Sequence, residues 1–365
     1  METKLPVVQT PKLQRVWNPP NPFLTEEREL LGEPPAAELE VYLDESQSIL
    51  SHNDSPDIGF RWSVNPYRGC FHACSYCYAR PTHEYLGLGA GTDFERKIFV
   101  KKNAPALLEQ AFRKQHWKGE LVVFSGVTDC YQPLEAAWKL TRGCLEVCLK
   151  FRNPAAVITK SLLILRDASL LAQLEKEAGV SVSVSIPFLD EETARIIEPG
   201  APAIRRRFET IRLLAEAGVP VGIGIAPIIP GLNDEAIPGL LKEAKRCGAR
   251  FAFRTLLRLP GSVKEVFFHR LQQQLPARAA KIEHRIRETR QGRLYDSRFG
   301  SRHHGEGTYW KTIDRLWDLW TERLGFNQQQ EPERPATFRR PPCGGQQELP
   351  FEVGQAIKSW FQNPA

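Results

Sequence analysis

Long apolar runs are scarce in this chain. The longest, AGVPVGIGIAPIIPGLN from Ala217 to Asn233, is broken by three prolines and four glycines, whereas a spanning helix needs about 20 mostly apolar residues in succession. No membrane partner is expected. The N-terminal METKLPVVQTPKLQRVWN lacks the unbroken apolar stretch of a secretory signal, so the expected compartment is the cytoplasm. Cysteine is sparse as well. Eight in 365 residues cannot staple so long a chain, which excludes a disulfide scaffold and leaves metal or redox chemistry for any that are grouped. Neither sign of charge dominates, since 49 Lys and Arg against 43 Asp and Glu give +6, compatible with nucleic acid without requiring it. Helix-turn-helix, dinucleotide-fingerprint and Walker-loop patterns are missing. What remains, 42% hydrophobic and 25% charged residues, is the composition of a folded protein with a sizeable core.

Residues 1–57 contain VWNPPNPF and GEPPAAE without a sustained period and read as a Pro-rich arm, part of which could pack on the domain. From about Phe60 short β-branched runs alternate with amphipathic segments, the rhythm of a parallel α/β protein. Six strands are expected: Arg61–Pro66, Glu120–Ser125, Ala155–Lys160, Val180–Ile186, Val219–Ala226 and Ala249–Leu256. An eight-unit barrel would need two more. Asn103 and Pro105 start one intervening helix, and Gly218 and Gly248 stand where two others should stop. Beyond Pro260 the pattern is mainly helical, over Pro276–Arg293 and Gly305–Gly325, the second with an apolar stripe of Tyr309, Ile313, Leu316, Trp317, Trp320 and Leu324. The expected divisions are the arm, an α/β domain over 58–262, a helical extension over 263–326 and a tail over 327–365.

In parallel sheets, functional groups gather at the carboxyl ends of the strands. Directly after the first strand, NPYRGCFHACSYCYARPTHEYLG places Cys70, Cys74 and Cys77 in a C-x3-C-x2-C spacing. Three soft thiolates so close can wrap an iron–sulfur cluster or zinc. Zinc would need a fourth ligand, His72 or His83, and would make the chain a zinc-stabilised nucleic-acid-binding module without catalysis. A three-thiolate [4Fe–4S] cluster instead leaves one iron open to an incoming ligand.

With an aromatic residue, Tyr76, before the third cysteine, the motif resembles that of the radical S-adenosylmethionine (SAM) superfamily. The surrounding NPYRGC, YCYARPTHEYLG and DFERKIFVKK resemble a bacterial subfamily of its spore photoproduct lyase-like branch, over about Ser55 to Gly325. The resemblance implies a partial (β/α)6 barrel, in agreement with the six strands. It implies a [4Fe–4S] cluster on Cys70, Cys74 and Cys77, reductive cleavage of SAM to a 5′-deoxyadenosyl radical, hydrogen abstraction from a substrate, and a flavodoxin- or ferredoxin-type electron donor. For SAM it implies contacts from the Tyr76 backbone to adenine, from Ser125, Thr128 and Asp129 to the ammonium, from Lys160 and Arg207 to the carboxylate with Glu198 orienting the arginine, and from Ser185 to the ribose. Gly222 and Gly224 would admit a close approach, for SAM or for packing.

The substrate is harder to read. The branch's lesion-repairing members carry a hydrogen-donating cysteine where this chain has Val127, which argues against lesion repair. Cys130 and Tyr131 are the candidate hydrogen donors, and Cys130 is equally suited to an inert place in the core. Cys144 and Cys148 suit the core of a helix, and Cys247 and Cys343 are isolated. Arg254 and Arg258, after the sixth strand, are candidate substrate contacts. Lys281–His304 holds seven basic against three acidic residues, a surface that could face a phosphate backbone or simply water. Anaerobic purification is expected to give a brown protein containing iron and sulfide, whereas colourless protein with stoichiometric zinc would select the binding-module reading.

Overall fold

The structure, a computed structural model, describes residues 18–23, 38–328 and 336–342. Its strands are β1 (Glu40–Leu43), β2 (Leu50–His52), β3 (Trp62–Val64), β4 (Tyr67–Arg68), β5 (Lys97–Val100), β6 (Val122–Phe124), β7 (Ala155–Thr159), β8 (Val180–Ser185), β9 (Val221–Ile228) and β10 (Phe251–Leu256). The six expected strands are β3 and β6 to β10, and they pair in chain order, all parallel. Right-handed crossovers that add each strand to the same edge put the connecting helices on one face, the geometry of a barrel segment. Among the described residues no pairing joins β10 back to β2 or β3, so the segment stays open.

The helices that cover the sheet are α1 (Ala104–Arg113), α2 (Leu140–Phe151), α3 (Ala168–Glu177), α4 (Glu191–Ile197), α5 (Ile204–Glu216) and α6 (Ile237–Arg246). Their apolar residues recur at helical spacing: α6 buries Ile237, Leu240, Leu241 and Ala244, and α5 buries Ile204, Phe208, Ile211 and Leu214. Val182, Val184, Ile223 and Ile225 are fully buried in the central strands, as expected when helices pack on a parallel sheet. Gly218 and Gly248 take positive φ just beyond α5 and α6, the helix stops foreseen in the sequence.

Three segments differ from expectation. Residues 40–52, inside the expected arm, supply two strands: β2 pairs antiparallel with β3, and β1 pairs parallel with β5 in a small sheet of order β1-β5-β4. Strands of three and four residues are too short to show a period. That small sheet matters, because β4 leads directly into the cysteine loop. Part of the expected tail also docks. Phe338 lies 6.2 Å from both the Phe112 and Phe151 rings, and Arg340 donates to the Trp117 carbonyl at 2.7 Å. Cys343 and most of QQQEPERP lie outside the described residues.

The third difference concerns the extension, which forms α7 (Val263–Gln274), α8 (Pro276–Glu288) and α9 (Gly307–Arg323). The buried face of α9 is Trp310, Ile313, Trp317 and Thr321, which shares Ile313 and Trp317 with the expected stripe and adds Trp310. Tyr309, Leu316, Trp320 and Leu324 pack against the core half-buried, with the Tyr309 hydroxyl on the buried Asp234 and Trp320 4.3 Å from Lys242. No described helix is long and apolar enough to cross a membrane. Trp310→Ala should destabilise the protein by about 3 kcal/mol or more in urea denaturation followed by circular dichroism, since it empties a buried aromatic site. Leu319→Ala, at a position 58% exposed, should change it by no more than about 0.5 kcal/mol.

Candidate active site at the carboxyl edge of the sheet

The ends of β3, β6, β7, β8 and β10 bring Asn65, Ser125 to Gln132, Lys160, Ser185 and Arg258 to one edge of the sheet, where the cysteine loop lies. Cys70 and Cys74 are buried and Cys77 half-buried, all as free thiols. The loop is held on every side. Arg80, wholly buried, donates to the Cys74 carbonyl through Nε and a terminal nitrogen, at 3.0 and 2.8 Å, and pairs with Glu95 at 2.5 Å. Gln132 accepts from the Phe71 amide at 3.1 Å and donates to the Gly69 carbonyl at 3.2 Å. Gly200 follows α4 and donates to the His72 carbonyl at 3.0 Å. A Cβ at Gly200 would sit 2.1 Å from the Phe71 carbonyl oxygen, so only glycine fits this crossing.

Beneath the loop lies a buried ionic group. Glu198 accepts from Arg207 at 2.6 Å and from the Tyr76 hydroxyl, with the Lys160 ammonium 3.8 Å away. Lys160 also donates to Ser185 Oγ at 3.0 Å, and Arg207 is fixed by the Pro202 and Ser185 carbonyls at 2.8 and 3.2 Å. Burial alone would raise the Glu198 carboxyl pKa, but Arg207 and Lys160 outweigh it and hold it low. Burial opposes the charge on Lys160 and Arg207 in turn, and Glu198 restores it and raises both. This is a mutually dependent set, in which removing the carboxylate strands two buried cations.

Asp129 ties the neighbouring loops together. It accepts from Thr159 Oγ1 at 2.7 Å, the Lys160 amide at 2.7 Å and the Tyr131 amide at 2.9 Å, and faces His72 Nδ1 at 3.3 Å. Burial pushes its carboxyl up, but His72 and these donors prevail and bring it down to about 2. Thr128 Oγ1 donates to the Gly69 carbonyl at 2.6 Å and Ser125 Oγ to the Ile158 carbonyl at 2.5 Å. Ser125 takes a φ of 107°, a sparsely populated region for a residue with a side chain.

The sequence-expected residues thus divide. Tyr76, Ser125, Thr128, Asp129, Lys160, Ser185 and Arg207 share this edge. Cys130 and Tyr131 point away from it into the interior, where both are fully buried. The Cys130 sulfur lies 3.5 Å from Ser125 Oγ, and Tyr131 donates to Asp167 at 3.1 Å. Arg254 pairs with Asp314 at 2.5 Å and ties β10 to α9. Gly222 and Gly224 make room for β10: a Cβ on either would meet the Phe251 or Phe253 ring at 2.3 and 2.7 Å. Arg80, Gln132 and Asn65, which accepts from the Val127 amide at 3.1 Å, were not foreseen. Asn65 and Arg80 lie inside the quoted NPYRGC and YCYARPTHEYLG segments, but nothing in a lone Asn or Arg marks it as a buttress.

A model of the radical SAM superfamily matches residues 64–244. An uncharacterized protein of Methanocaldococcus jannaschii is 33% identical over 218 residues, 60% of this chain and 78% of that protein. The chain belongs to the radical SAM superfamily. An uncharacterized Mycobacterium tuberculosis protein is 38% identical over 210 residues, 57% of this chain. The match spans 62% of that relative's length. Among solved structures, spore photoproduct lyase complexed with a dinucleoside spore photoproduct superposes with a TM-score of 0.58 over 82% of this chain and 86% of that one, at 16% identity, which shows a shared fold.

The cofactors of the radical SAM family are a [4Fe–4S] cluster and SAM, and the donor set fits the cluster. Burial pushes the Cys77 thiol up to about 11 and Cys74 well up, so these sulfurs need a bound metal to become thiolates. Among the described residues no three His, Cys, Asp or Glu side chains converge as ligands of one ion. A cube, which bonds each thiolate to a different iron, requires wider spacing. The rings of the zinc reading are otherwise engaged, His72 between Asp129 and Cys70 and His83 at 2.9 Å from the Lys97 carbonyl. Glu198→Gln should cost the cluster-free protein about 3–5 kcal/mol of stability, the size of a broken buried ion pair, measured by urea denaturation. An unchanged midpoint would show that the two cations and the Tyr76 hydroxyl do not depend on it.

Proposed function

We propose that this protein is a radical SAM enzyme that cleaves SAM reductively and abstracts hydrogen from a substrate, with nucleic acid the leading substrate class. The observation that carries the reading is the juxtaposition of three buried free thiols with the Glu198, Lys160 and Arg207 group. Bound beside these residues, a [4Fe–4S] cluster with SAM would supply one-electron reductive cleavage of the sulfonium and the hydrogen abstraction that follows.

The chain's own residues bind and orient. Cys70, Cys74 and Cys77, free thiols here, would hold the cluster as thiolates. Ser125 and Thr128 each spend their hydroxyl proton inward, which leaves oxygen lone pairs able to accept from the SAM ammonium. Asp129 contributes its charge behind them. Lys160, with one donor on Ser185, and Arg207 set the positive potential that a carboxylate requires. Among the described residues no hydrogen bond occupies the backbone of Tyr76, which suits it to the adenine edge, and Ser185 suits the ribose. Cys130 would act as a hydrogen donor only through Ser125, which separates the thiol from the edge, and Tyr131, whose hydroxyl is held by Asp167, has no such link to it.

An external flavodoxin- or ferredoxin-type protein delivers the electron in this proposal. A cytoplasmic setting belongs to it too, since free cluster-forming thiols persist in a reducing compartment. Support for nucleic acid comes from the basic Lys281–His304 segment and from the lyase whose fold it shares. Reconstituted protein given dithionite and SAM is expected to release methionine and 5′-deoxyadenosine, and Cys74→Ala to lose both the brown absorption and the cleavage. A Cys74→Ala protein that keeps cluster and cleavage would overturn the reading.

A further inference from the structure

The mouth of this edge carries charge that the protein itself leaves unmatched. Arg258 follows β10, and among the described residues it makes no hydrogen bond or ion pair. Its Nε is buried without a partner, and its guanidinium lies 5.2 Å from the centre of the Tyr78 ring, one residue beyond Cys77. Beside it, His303 Nε2 is also buried without a partner. A buried polar atom left unpaired costs about 1–3 kcal/mol, more when charged, so two such atoms on residues close enough for Arg258 to act on His303 point to a missing ligand.

The neighbourhood is built to hold them. The Leu256 amide donates to the His303 carbonyl at 3.0 Å, which pins the loop Asp296–His304 to the end of β10. Arg290 reinforces this with bonds to the Leu257, Ser301, Arg302 and His304 carbonyls at 2.9–3.2 Å. Its hydrogen-bond partners are all neutral, and the Asp296 and Glu306 carboxylates nearby offset part of its charge, which leaves Arg258, among the described residues, as the guanidinium here without a hydrogen-bonding partner. Burial, together with Arg258 and Arg302, brings His303 down to about 4, so at neutral pH it is a neutral hydrogen-bonding group. Farther along the loop, the Phe299 ring is 61% exposed with Arg302 at 4.6 Å, while Tyr78 is 47% exposed. Arg302 is itself fixed by Asp57 at 2.6 Å and serves to hold the loop.

We propose that Arg258 and His303 form a binding subsite for a phosphodiester of the substrate, with Tyr78 and Phe299 as stacking platforms for the bases of a single nucleic-acid strand. The inference rests on the radical SAM reading of the adjacent site. An anion is required by the unmatched guanidinium, and a phosphate offers the several acceptor oxygens that two separate donors need. The exposed rings favour a nucleotide strand over an acidic peptide, because bases stack on aromatic faces in a sequence-tolerant way and carboxylates do not. A single strand fits better than a duplex, in which stacked bases do not present their faces.

The test is fluorescence anisotropy of a fluorescein-labelled ten-nucleotide oligothymidylate with the full reconstituted chain, without SAM or reductant. Arg258→Gln and His303→Gln are expected to weaken binding, the first by about tenfold or more, with the log–log salt slope of Arg258→Gln reduced by about 1. Phe299→Ala, at an exposed position where misfolding is not at issue, should weaken it by about fivefold or more. Oligothymidylate binding unchanged in all three variants would overturn the proposal, as would absence of binding by the parent protein. Displacement by decaglutamate as readily as by unlabelled strand would overturn it too, and would assign the surface to an acidic polypeptide. Failure of the two readings is separable. If the radical SAM reading fails, 5′-deoxyadenosine is not formed while the strand still binds in an Arg258-dependent way; if only this inference fails, cleavage persists and strand binding is absent or indifferent to Arg258.

Discussion

One buried carboxylate organises the site. Glu198, with a side chain that has no solvent exposure, would be intolerable in the interior without compensation, and its compensation comes from three different parts of the chain. Arg207 arrives from α5, Lys160 from the end of β7 and the Tyr76 hydroxyl from the cysteine loop. Satisfying that charge therefore brings together the loop carrying the thiols, a strand end and a helix. The same carboxylate keeps both cations charged, so the positive potential facing the loop is present before any ligand arrives. Preorganisation of this kind limits the reorganisation that binding would otherwise cost.

The parallel sheet is what makes such a convergence available. The parallel strands β3 and β6 to β10 all end at the same edge, and β3, β6, β7, β8 and β10 each deliver a short polar segment there. Asp129 connects two of these segments and His72 in the loop, while Arg80 and Gln132 hold the loop's own backbone. The elements outside the sheet act on the same edge from the two sides. The small β1-β5-β4 sheet sets the entry to the loop, and the extension after β10 brings Arg258, Arg290 and His303 to its mouth. A cofactor held in the first region and a substrate held in the second would meet across Tyr76 to Tyr78.

Much of this was legible in the residues. The six strands were visible because buried parallel strands are runs of β-branched residues between turn signals, and the three thiols because their spacing has few other uses. The family resemblance pointed to Ser125, Lys160 and Ser185, which stand at the ends of β6, β7 and β8. What could not be read depends on tertiary contact. Strands of three or four residues such as β1 and β2 carry no period. The α9 stripe was read in large part, with Ile313 and Trp317 in the core and its other members packed against it, but Trp310 was missed because only its tertiary neighbours set it there. Nothing local separates Arg258, which is left unpaired, from Arg254, which Asp314 neutralises sixty residues later in the chain.

With the cluster bound, three thiolates would leave one iron free for SAM beside the positive charge of Lys160 and Arg207. The decisive measurement is electron–nuclear double resonance on the reduced protein with SAM labelled with ¹⁷O in its carboxylate. A hyperfine coupling that places the carboxylate oxygen on iron is expected, lost in Cys74→Ala together with the cluster signal. A well-formed [4Fe–4S] signal with no coupling to the label, and unchanged by saturating SAM, would contradict it.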